Sequence, residues 1–202
     1  MMEQHEPAQQ NYTAFKGDRC IASGTLLEVA EKVKRLLMKN QASDAILIFD
    51  NRTGRQVEVD FRGTVEEVLE RILKASAAAT GALSPTRGPG RPRLGVVSRE
   101  VTLLPRHWAW LNSQPGGASV ALRKLVEEAR RANKSLDEVR AAQDAAFRFM
   151  SAIAGNRPGF EEAIRALFAA DAERFNEMLT AWPEDIQNHT RKLAAAAFSK
   201  ND

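Results

Sequence analysis

Short apolar runs and strict alternation of apolar with polar residues predict β-strands in the first third of the chain. Ile46–Phe49 is a continuous apolar run, as expected of a central strand, and Val57, Val59 and Phe61 alternate with acidic residues, as in a strand with one solvated face. Two predicted strand pairs are each followed by Gly-Thr and a helical stripe, with a glutamate three residues after the threonine. This repeated order would fit a decayed duplication, and it predicts a ββαββα domain over residues 12–75, with both helices on one face of a four-stranded sheet.

A helical period replaces the strand pattern in the last third of the chain. Apolar residues recur at three- and four-residue spacing over Leu136–Ile153, and Ser135 and Glu138 have the spacing of a capping box. Asp171 is placed to cap a further helix. The pattern predicts three or four helices, arranged as hairpins, over residues 133–202. Six aromatic residues are expected mainly in the core of this region: Phe147, Phe149, Phe160, Phe168, Phe175 and Trp182.

Two other segments show neither pattern. Residues 1–11 are polar and predict a disordered tail. Residues 76–95 are rich in small residues, glycine and proline, and predict a flexible basic linker, because such a segment buries too little apolar surface to offset its ordering entropy. Within it, Gly90–Arg93 resembles the core of an AT-hook, a motif that would bind the narrow minor groove of DNA. Since Pro89 stands where a basic residue is usual, either an AT-hook or an unstructured basic linker fits this stretch.

Residues 96–132 combine one strand-like run with two helical patterns. Val96–Leu104 predicts a strand, and Pro105 is typical of the first position of a helix that ends near Gln114. Pro115–Gly117 breaks that helix, and a second amphipathic helix follows at once. The fold class expected for the whole chain is therefore α+β, with a central strand–helix–helix unit between the N-terminal domain and the C-terminal helices.

The order of elements in this unit resembles the ribbon–helix–helix DNA-binding fold. The resemblance rests on Leu104 and Pro105 at the start of the first helix, and on Gly117–Ser119 before Leu122–Val126. It implies a homodimer, since one such unit is too small to bury its own core, and paired strands that enter the major groove. The N–H groups of Gly117–Ser119 would then bind phosphate, while strand side chains would contact bases.

The register of the predicted strand has two alternatives. In the register of the resemblance, Glu100, Thr102 and Leu104 would be buried, and a buried Glu100 without a partner is costly. Shifted by one residue, Val101 and Leu103 lie inside while Thr102 faces outward to the bases. The shifted register is favoured on energetic grounds.

Charge supports an anionic partner. The chain has a net charge of only +3, yet seven basic residues and one acidic residue lie between Ser84 and Lys124. A solvated basic face is the simpler interpretation of this block. The predicted DNA contacts are Arg87, Arg91, Arg93, Arg99, Thr102, Gly117, Ala118, Ser119 and Arg123. The predicted dimer core consists of Val101, Leu103, Trp108, Leu111, Leu122 and Leu125.

Most of the chain also resembles a bacterial family, domain of unknown function 2239. The resemblance is carried by five stretches, which are Tyr12–Phe15, Ile21–Gly24, Gly88–Val97, Arg99–Trp108 and Gln114–Ser119. It implies no established activity.

The sequence therefore predicts a dimeric protein that binds DNA in a sequence-dependent way. Two other classes of function are compared with this prediction. One alternative is a protein-interaction or small-ligand module that uses the C-terminal helices and binds no DNA. An enzyme is not expected, because the chain has three scattered histidines, one cysteine, and neither a phosphate-loop motif nor metal-ligand spacing. Neither a metal nor a cofactor is expected. The absence of an apolar run of about 18 residues and of a signal-peptide core predicts a cytoplasmic protein.

Overall fold

The structure, a computed structural model, describes residues 11–39, 45–81, 97 and 99–199. Its strands are β1 (Tyr12–Lys16), β2 (Arg19–Gly24), β3 (Ile46–Asp50) and β4 (Gln56–Val57). Its helices are α1 (Leu26–Lys39), α2 (Val65–Gly81), α3 (Pro105–Ser113), α4 (Gly117–Ala132), α5 (Lys134–Ile153), α6 (Phe160–Phe168), α7 (Ala172–Leu179) and α8 (Glu184–Ala194), followed by a 3₁₀ turn at Ala195–Phe198. The predicted α+β class and the ββαββα order of the first part are confirmed.

The four strands form one antiparallel sheet in the order β2-β1-β3-β4. The two predicted hairpins therefore lie side by side and meet along β1 and β3. The strand predicted from Val57 to Phe61 is wrong in length, because β4 pairs with β3 only at Gln56 and Val57. Val59 and Phe61 nevertheless remain half-buried against the sheet core, which explains the apolar alternation.

Capping boxes begin the first two helices as predicted. The Thr25 N–H donates to Glu28 Oε2 at 2.8 Å, and the Glu28 N–H donates to Thr25 Oγ1 at 3.4 Å. Thr64 and Glu67 repeat this exchange at 2.9 and 3.3 Å. Each pair satisfies backbone donors that have no acceptor within the helix.

The capping box predicted at Ser135 is wrong. Helix α5 begins at Lys134, so Ser135 lies inside the first turn and does not precede it. The residue between α4 and α5 is Asn133, whose N–H donates to Ala129 O, at 2.9 Å, and whose Nδ2 donates to the same oxygen at 2.8 Å. This amide closes the end of α4 and leaves no room for a separate cap before α5. By contrast, the cap predicted at Asp171 is confirmed, since its carboxylate accepts from the Arg174 N–H at 3.0 Å.

One face of the sheet packs against α1. Ala14 and Ile48 from the sheet share a buried cluster with Val29 and Val33 from the helix. Helix α2 packs against α1, with Val68 as its buried side chain. Alternation along β1 and β3 sends every second residue to this side and the remaining residues to the opposite side.

The opposite face of the sheet packs against the C-terminal helices. Phe15 and Phe49 have ring centroids 5.3 and 4.9 Å from that of Phe149 on α5. The imidazole of His189 on α8 lies 5.3 Å from the Phe15 ring and 4.6 Å from the Phe149 ring. All three phenylalanines are fully buried, so the sheet lies between two helical layers.

Contacts along the chain define two compact units. Unit 1 consists of residues 1–82 and 137–202, and unit 2 consists of residues 83–136. The segments 12–75 and 133–202, predicted as separate domains, thus contribute to one shared core. The hydrophobic pattern of the sequence locates the boundaries between segments. It does not show that the C-terminal helices cover the second apolar face of the sheet.

Replacing Gly54 by alanine should destabilise unit 1 strongly. A Cβ at this position would overlap the carbonyl oxygen and backbone of Ala145 on α5, and φ is +65°. We expect Gly54→Ala to lower the free energy of unfolding by more than about 3 kcal/mol, measured by urea denaturation followed by circular dichroism. Gly17→Ala is the matched control, because φ is +54° there but nothing lies within 4 Å of the added carbon. It should cost only the backbone strain, about 1–2 kcal/mol, and equal losses for the two variants would contradict the packing described.

Acid should destabilise unit 1 through His189. Burial, with a smaller contribution from Lys192, lowers the pKa of His189 to about 4, and its Nε2 has no hydrogen-bond partner among the described residues. Since the pKa of an unfolded histidine is about 6.5, the unfolded chain binds more protons between these values, and stability falls as pH falls from about 6.5 to 4. The loss should be on the order of 3 kcal/mol.

The measurement is the free energy of unfolding at several pH values for the wild type, His189→Leu and His107→Gln. The His189 variant should lose most of the slope between about pH 6.5 and 5, above the range in which ordinary carboxylates protonate. The variant at the exposed His107 should keep the wild-type slope. An unchanged slope in His189→Leu would contradict the assignment.

Candidate nucleic-acid interface

The backbone of unit 2 follows from its prolines and glycines. Leu104 is extended, with φ −66° and ψ 150°, and Pro105 begins α3, where its missing N–H costs no hydrogen bond. After α3, Gly116 and Gly117 adopt φ values of +87° and +77°, a left-handed conformation that favours glycine. These two residues reverse the chain, so that α3 packs against α4.

Unit 2 buries very few of its apolar side chains. Among its described residues, only Leu111 on α3 and Ala121 on α4 are buried hydrophobics. Nine large hydrophobic residues are at least about one third exposed: Val97, Val101, Leu104, Trp108, Trp110, Val120, Leu125, Val126 and Leu136. A contiguous exposed apolar surface of several hundred Å² typically marks an interaction site.

The strand predicted over 96–104 is absent from the described residues of this segment. Residues 97 and 99–104 have no strand pairing, and residues 96 and 98 lie outside the described range. An extended chain becomes a strand only when a neighbour accepts and donates its backbone hydrogen bonds. The part of the chain that the structure describes supplies no such neighbour to residues 99–104.

The predicted DNA contacts fall into three groups. The predicted AT-hook core, Gly90–Arg93, lies outside the described residues, as do the predicted contacts Arg87, Arg91 and Arg93. Arg99, Thr102, Ser119 and Arg123 are exposed. Gly117 and Ala118 are half-buried at the start of α4.

The start of α4 differs in one detail from the predicted phosphate clamp. The Gly117 N–H already donates to Gln114 O at 2.9 Å, so it is not available to a phosphate. Ala118 and Ser119 lie in a first turn that has no side-chain cap and no acidic residue. Arg123 donates to Ser119 Oγ at 3.0 Å, which places a guanidinium beside this turn. Both the helix dipole and the arginine therefore favour an anion here.

The predicted dimer core is largely open in the single chain. Leu111 is buried, Leu103 and Leu122 are half-buried, and Val101, Trp108 and Leu125 are exposed. On α3 and α4, sequence reasoning missed three further exposed apolar residues, which are Trp110, Val120 and Val126. Their apolar character was visible, but helical spacing alone does not show that α3 is too short to cover the whole of α4.

The aromatic residues of the C-terminal helices belong mainly to the core, as expected. Phe149, Phe175 and Trp182 are buried, and Trp182 Nε1 donates to Pro158 O at 2.8 Å. Phe160 is partly buried against the same core. The exposed exceptions are Phe147 and Phe168, whose ring centroids lie 6.0 Å apart in an edge-to-face arrangement.

The groups with reactive side chains do not assemble into a catalytic site in the described residues. Burial, with a contribution from Asp185, raises the pKa of the Cys20 thiol, which keeps it protonated and a weak nucleophile. No group of three or more His, Cys, Asp or Glu residues is placed to hold a metal ion within the described ranges. Likewise, no helix in that part of the chain is long and apolar enough to cross a membrane.

These features define an α+β protein with a three-layer unit and a helical hairpin whose apolar surface is largely exposed. The chain belongs to the family described as "uncharacterized protein conserved in bacteria (DUF2239)", whose model matches residues 11–194. No curated protein and no solved structure matches the chain.

Truncating Leu111 should open unit 2 without affecting unit 1. Because Leu111 is one of two buried hydrophobics among the described residues of unit 2, Leu111→Ala should cost about 2–3 kcal/mol of local stability. Hydrogen exchange measured by mass spectrometry should then be at least tenfold faster in α3 and α4 and unchanged in peptides around Phe149. Asn112→Ala, at the adjacent exposed position, is the control and should leave exchange as in the wild type. Wild-type exchange in the Leu111 variant would show that this side chain does not hold the hairpin together.

Proposed function

We propose that this protein binds double-stranded DNA as a homodimer through unit 2 and acts as a transcriptional regulator. One observation carries the proposal: a helical hairpin that leaves most of its apolar side chains exposed also has no acid in the first turn of its second helix, where Arg123 donates to Ser119 from one turn away. The first property calls for a second subunit, and the second favours an anionic ligand.

The segment before α3 would form the ribbon of such a dimer. Pairing of residues 99–104 with the same residues of a second copy would satisfy backbone groups that have no strand partner among the described residues. In the register that buries Val101 and Leu103, the hydroxyl of Thr102 faces outward, where it can contact base edges. Arg99 would lie near the end of the ribbon, within reach of a phosphate.

The start of α4 would fix the ribbon on the DNA backbone. The N–H groups of Ala118 and Ser119 lie at the positive end of the helix dipole, and Arg123 adds a full charge one turn away. Phosphate contacts of this kind set register and affinity without selecting sequence. The basic tether at Arg87, Arg91 and Arg93 would extend the contact into the minor groove, a role supported by sequence alone.

A second candidate function is a protein-interaction or ligand-binding module in unit 1. It is favoured by the exposed edge-to-face pair of Phe147 and Phe168. A Phe147→Ala and Phe168→Ala double variant separates the two candidates. It should bind DNA as the wild type does if unit 2 carries the function.

Binding to a mixed-sequence duplex should be tight at low salt and should weaken steeply as salt rises, because counterions are released. Arg123→Ala should reduce the affinity and lower the slope of log K against log salt by about two, one for each subunit. Fluorescence anisotropy with a labelled duplex measures both quantities. Arg35→Ala removes an exposed arginine of unit 1 and is the control, which should bind as the wild type does. Failure of the wild-type protein to bind the duplex at about 50 mM salt would refute the proposal.

Sequence preference should depend on Thr102. We expect Thr102→Ala to change the bases recovered when bound duplexes are selected from a random pool, because a side chain on the ribbon reads base edges. Its affinity for mixed-sequence DNA should stay within about threefold of the wild type, since phosphate contacts remain. If the selected sequences are the same for both proteins, Thr102 does not face the bases.

A further inference from the structure

The two helices of unit 2 differ greatly in length. Helix α3 has 9 residues and α4 has 16, which correspond to about 14 and 24 Å at about 1.5 Å per residue. A partner as short as α3 can cover only part of α4. The buried residue of α4, Ala121, lies in its first half, whereas every residue from Arg123 to Ala132 is exposed.

The uncovered half of α4 carries an apolar stripe. Leu122, Leu125, Val126 and Ala129 recur at the spacing that places residues on one helix face. Leu125 and Val126 are 43% and 57% exposed, in a helix that is otherwise rich in charged residues. Water contact at these two side chains is unfavourable, so this stripe needs a partner.

We propose that α4 packs antiparallel against α4 of a second copy, about a twofold axis that passes between Leu125 and Val126. The inference rests on the proposed function in one respect, since it names the partner and the surface of the proposed dimer. Leu125 of one copy then meets Val126 of the other, and Leu122 meets Ala129. The contact is isologous, so each copy uses the same surface.

The charges beside the stripe are self-complementary in this arrangement. In an antiparallel pair related by a twofold axis, residues on the same flank of the two helices face each other. Arg123 and Glu127 lie on one flank and Lys124 and Glu128 on the other. Lys124 of one copy therefore faces Glu128 of the second copy. On the other flank, Glu127 already pairs with Arg130 of its own chain at 3.1 Å, and Arg123 donates to Ser119 of its own helix, so the match rests on Lys124 and Glu128. A parallel pair would bring opposite flanks together and would lose this match.

The available apolar surface has the size of a stable interface. A large side chain offers about 150–250 Å² when it is aromatic and somewhat less when it is aliphatic. Nine such residues of unit 2 are at least about one third exposed, and together they provide several hundred Å². A standard interface buries about 800 Å² on each partner, so α4 pairing together with the ribbon would use most of this surface.

Sedimentation of the full chain without DNA tests the pairing. The wild type should sediment at twice the 22.3 kDa chain mass at micromolar concentration, and Val126→Glu should sediment at the mass of one chain. Since Val126 is exposed in the single chain, its replacement should leave the circular dichroism spectrum unchanged. Leu73→Glu on α2, which is 54% exposed, is the matched control and should remain dimeric. A monomeric wild type, or a Val126→Glu variant that dimerises as tightly as the wild type, would overturn the proposal.

A charge exchange tests the antiparallel orientation without altering the apolar stripe. Lys124→Glu should weaken dimerisation about tenfold, because two attractive pairs become repulsive. Adding Glu128→Lys to the same chain should restore wild-type dimerisation, since each flank again pairs opposite charges. Failure of the second change to restore the dimer would exclude this orientation. A dimer that binds no DNA would reject the proposed function and keep the α4 pairing, whereas a wild type that is monomeric alone but binds DNA as two chains would reject the pairing and keep the proposed function.

Discussion

The packing of Phe149 against Phe15 and Phe49 is the contact on which unit 1 depends. These rings join the second face of the sheet to α5, and His189 on α8 completes the cluster. Without this layer, the sheet would expose two fully buried phenylalanines, each of which contributes about 1.5–3 kcal/mol when removed from water. The same layer positions Gly54, whose turn lies directly against the backbone of α5.

Unit 2 is organised in the opposite way. Its two helices pack against each other but bury only Leu111 and Ala121 among the described hydrophobic residues, and most of its large apolar side chains are exposed. A protein domain of this size rarely buries enough surface by itself, which is why our proposal gives unit 2 a second copy as its partner. Within our proposal, the requirement for a second copy also creates the DNA-binding surface, because a ribbon exists only when two extended segments pair.

Local signals in the sequence predicted local structure well. Thr25 with Glu28, Thr64 with Glu67, and Asp171 mark helix starts because the hydrogen bonds involved join residues three apart. Contacts between distant residues were not predictable in the same way. Nothing near Phe15 indicates that its partner is Phe149, and the core shared by the sheet and the C-terminal helices was therefore divided into two domains.

The candidate site shows the same division between local and distant information. The glycines before α4 and the proline at the start of α3 were identified from residue type alone, because only a few residues adopt the required backbone. The described residues of 96–104 form no strand, since strand formation depends on a neighbour that the described part of the chain does not provide. The spacing of apolar residues in the sequence likewise did not show that α3 would leave the second half of α4 uncovered.

The composition of the protein–DNA complex tests the central claim most directly. Native mass spectrometry of the full chain with a duplex of about two helical turns gives the number of chains on each DNA molecule. The proposed ribbon predicts two chains on one duplex and no complex that contains a single chain. A complex of one chain with one duplex, or free duplex beside unbound protein at low salt, would contradict it.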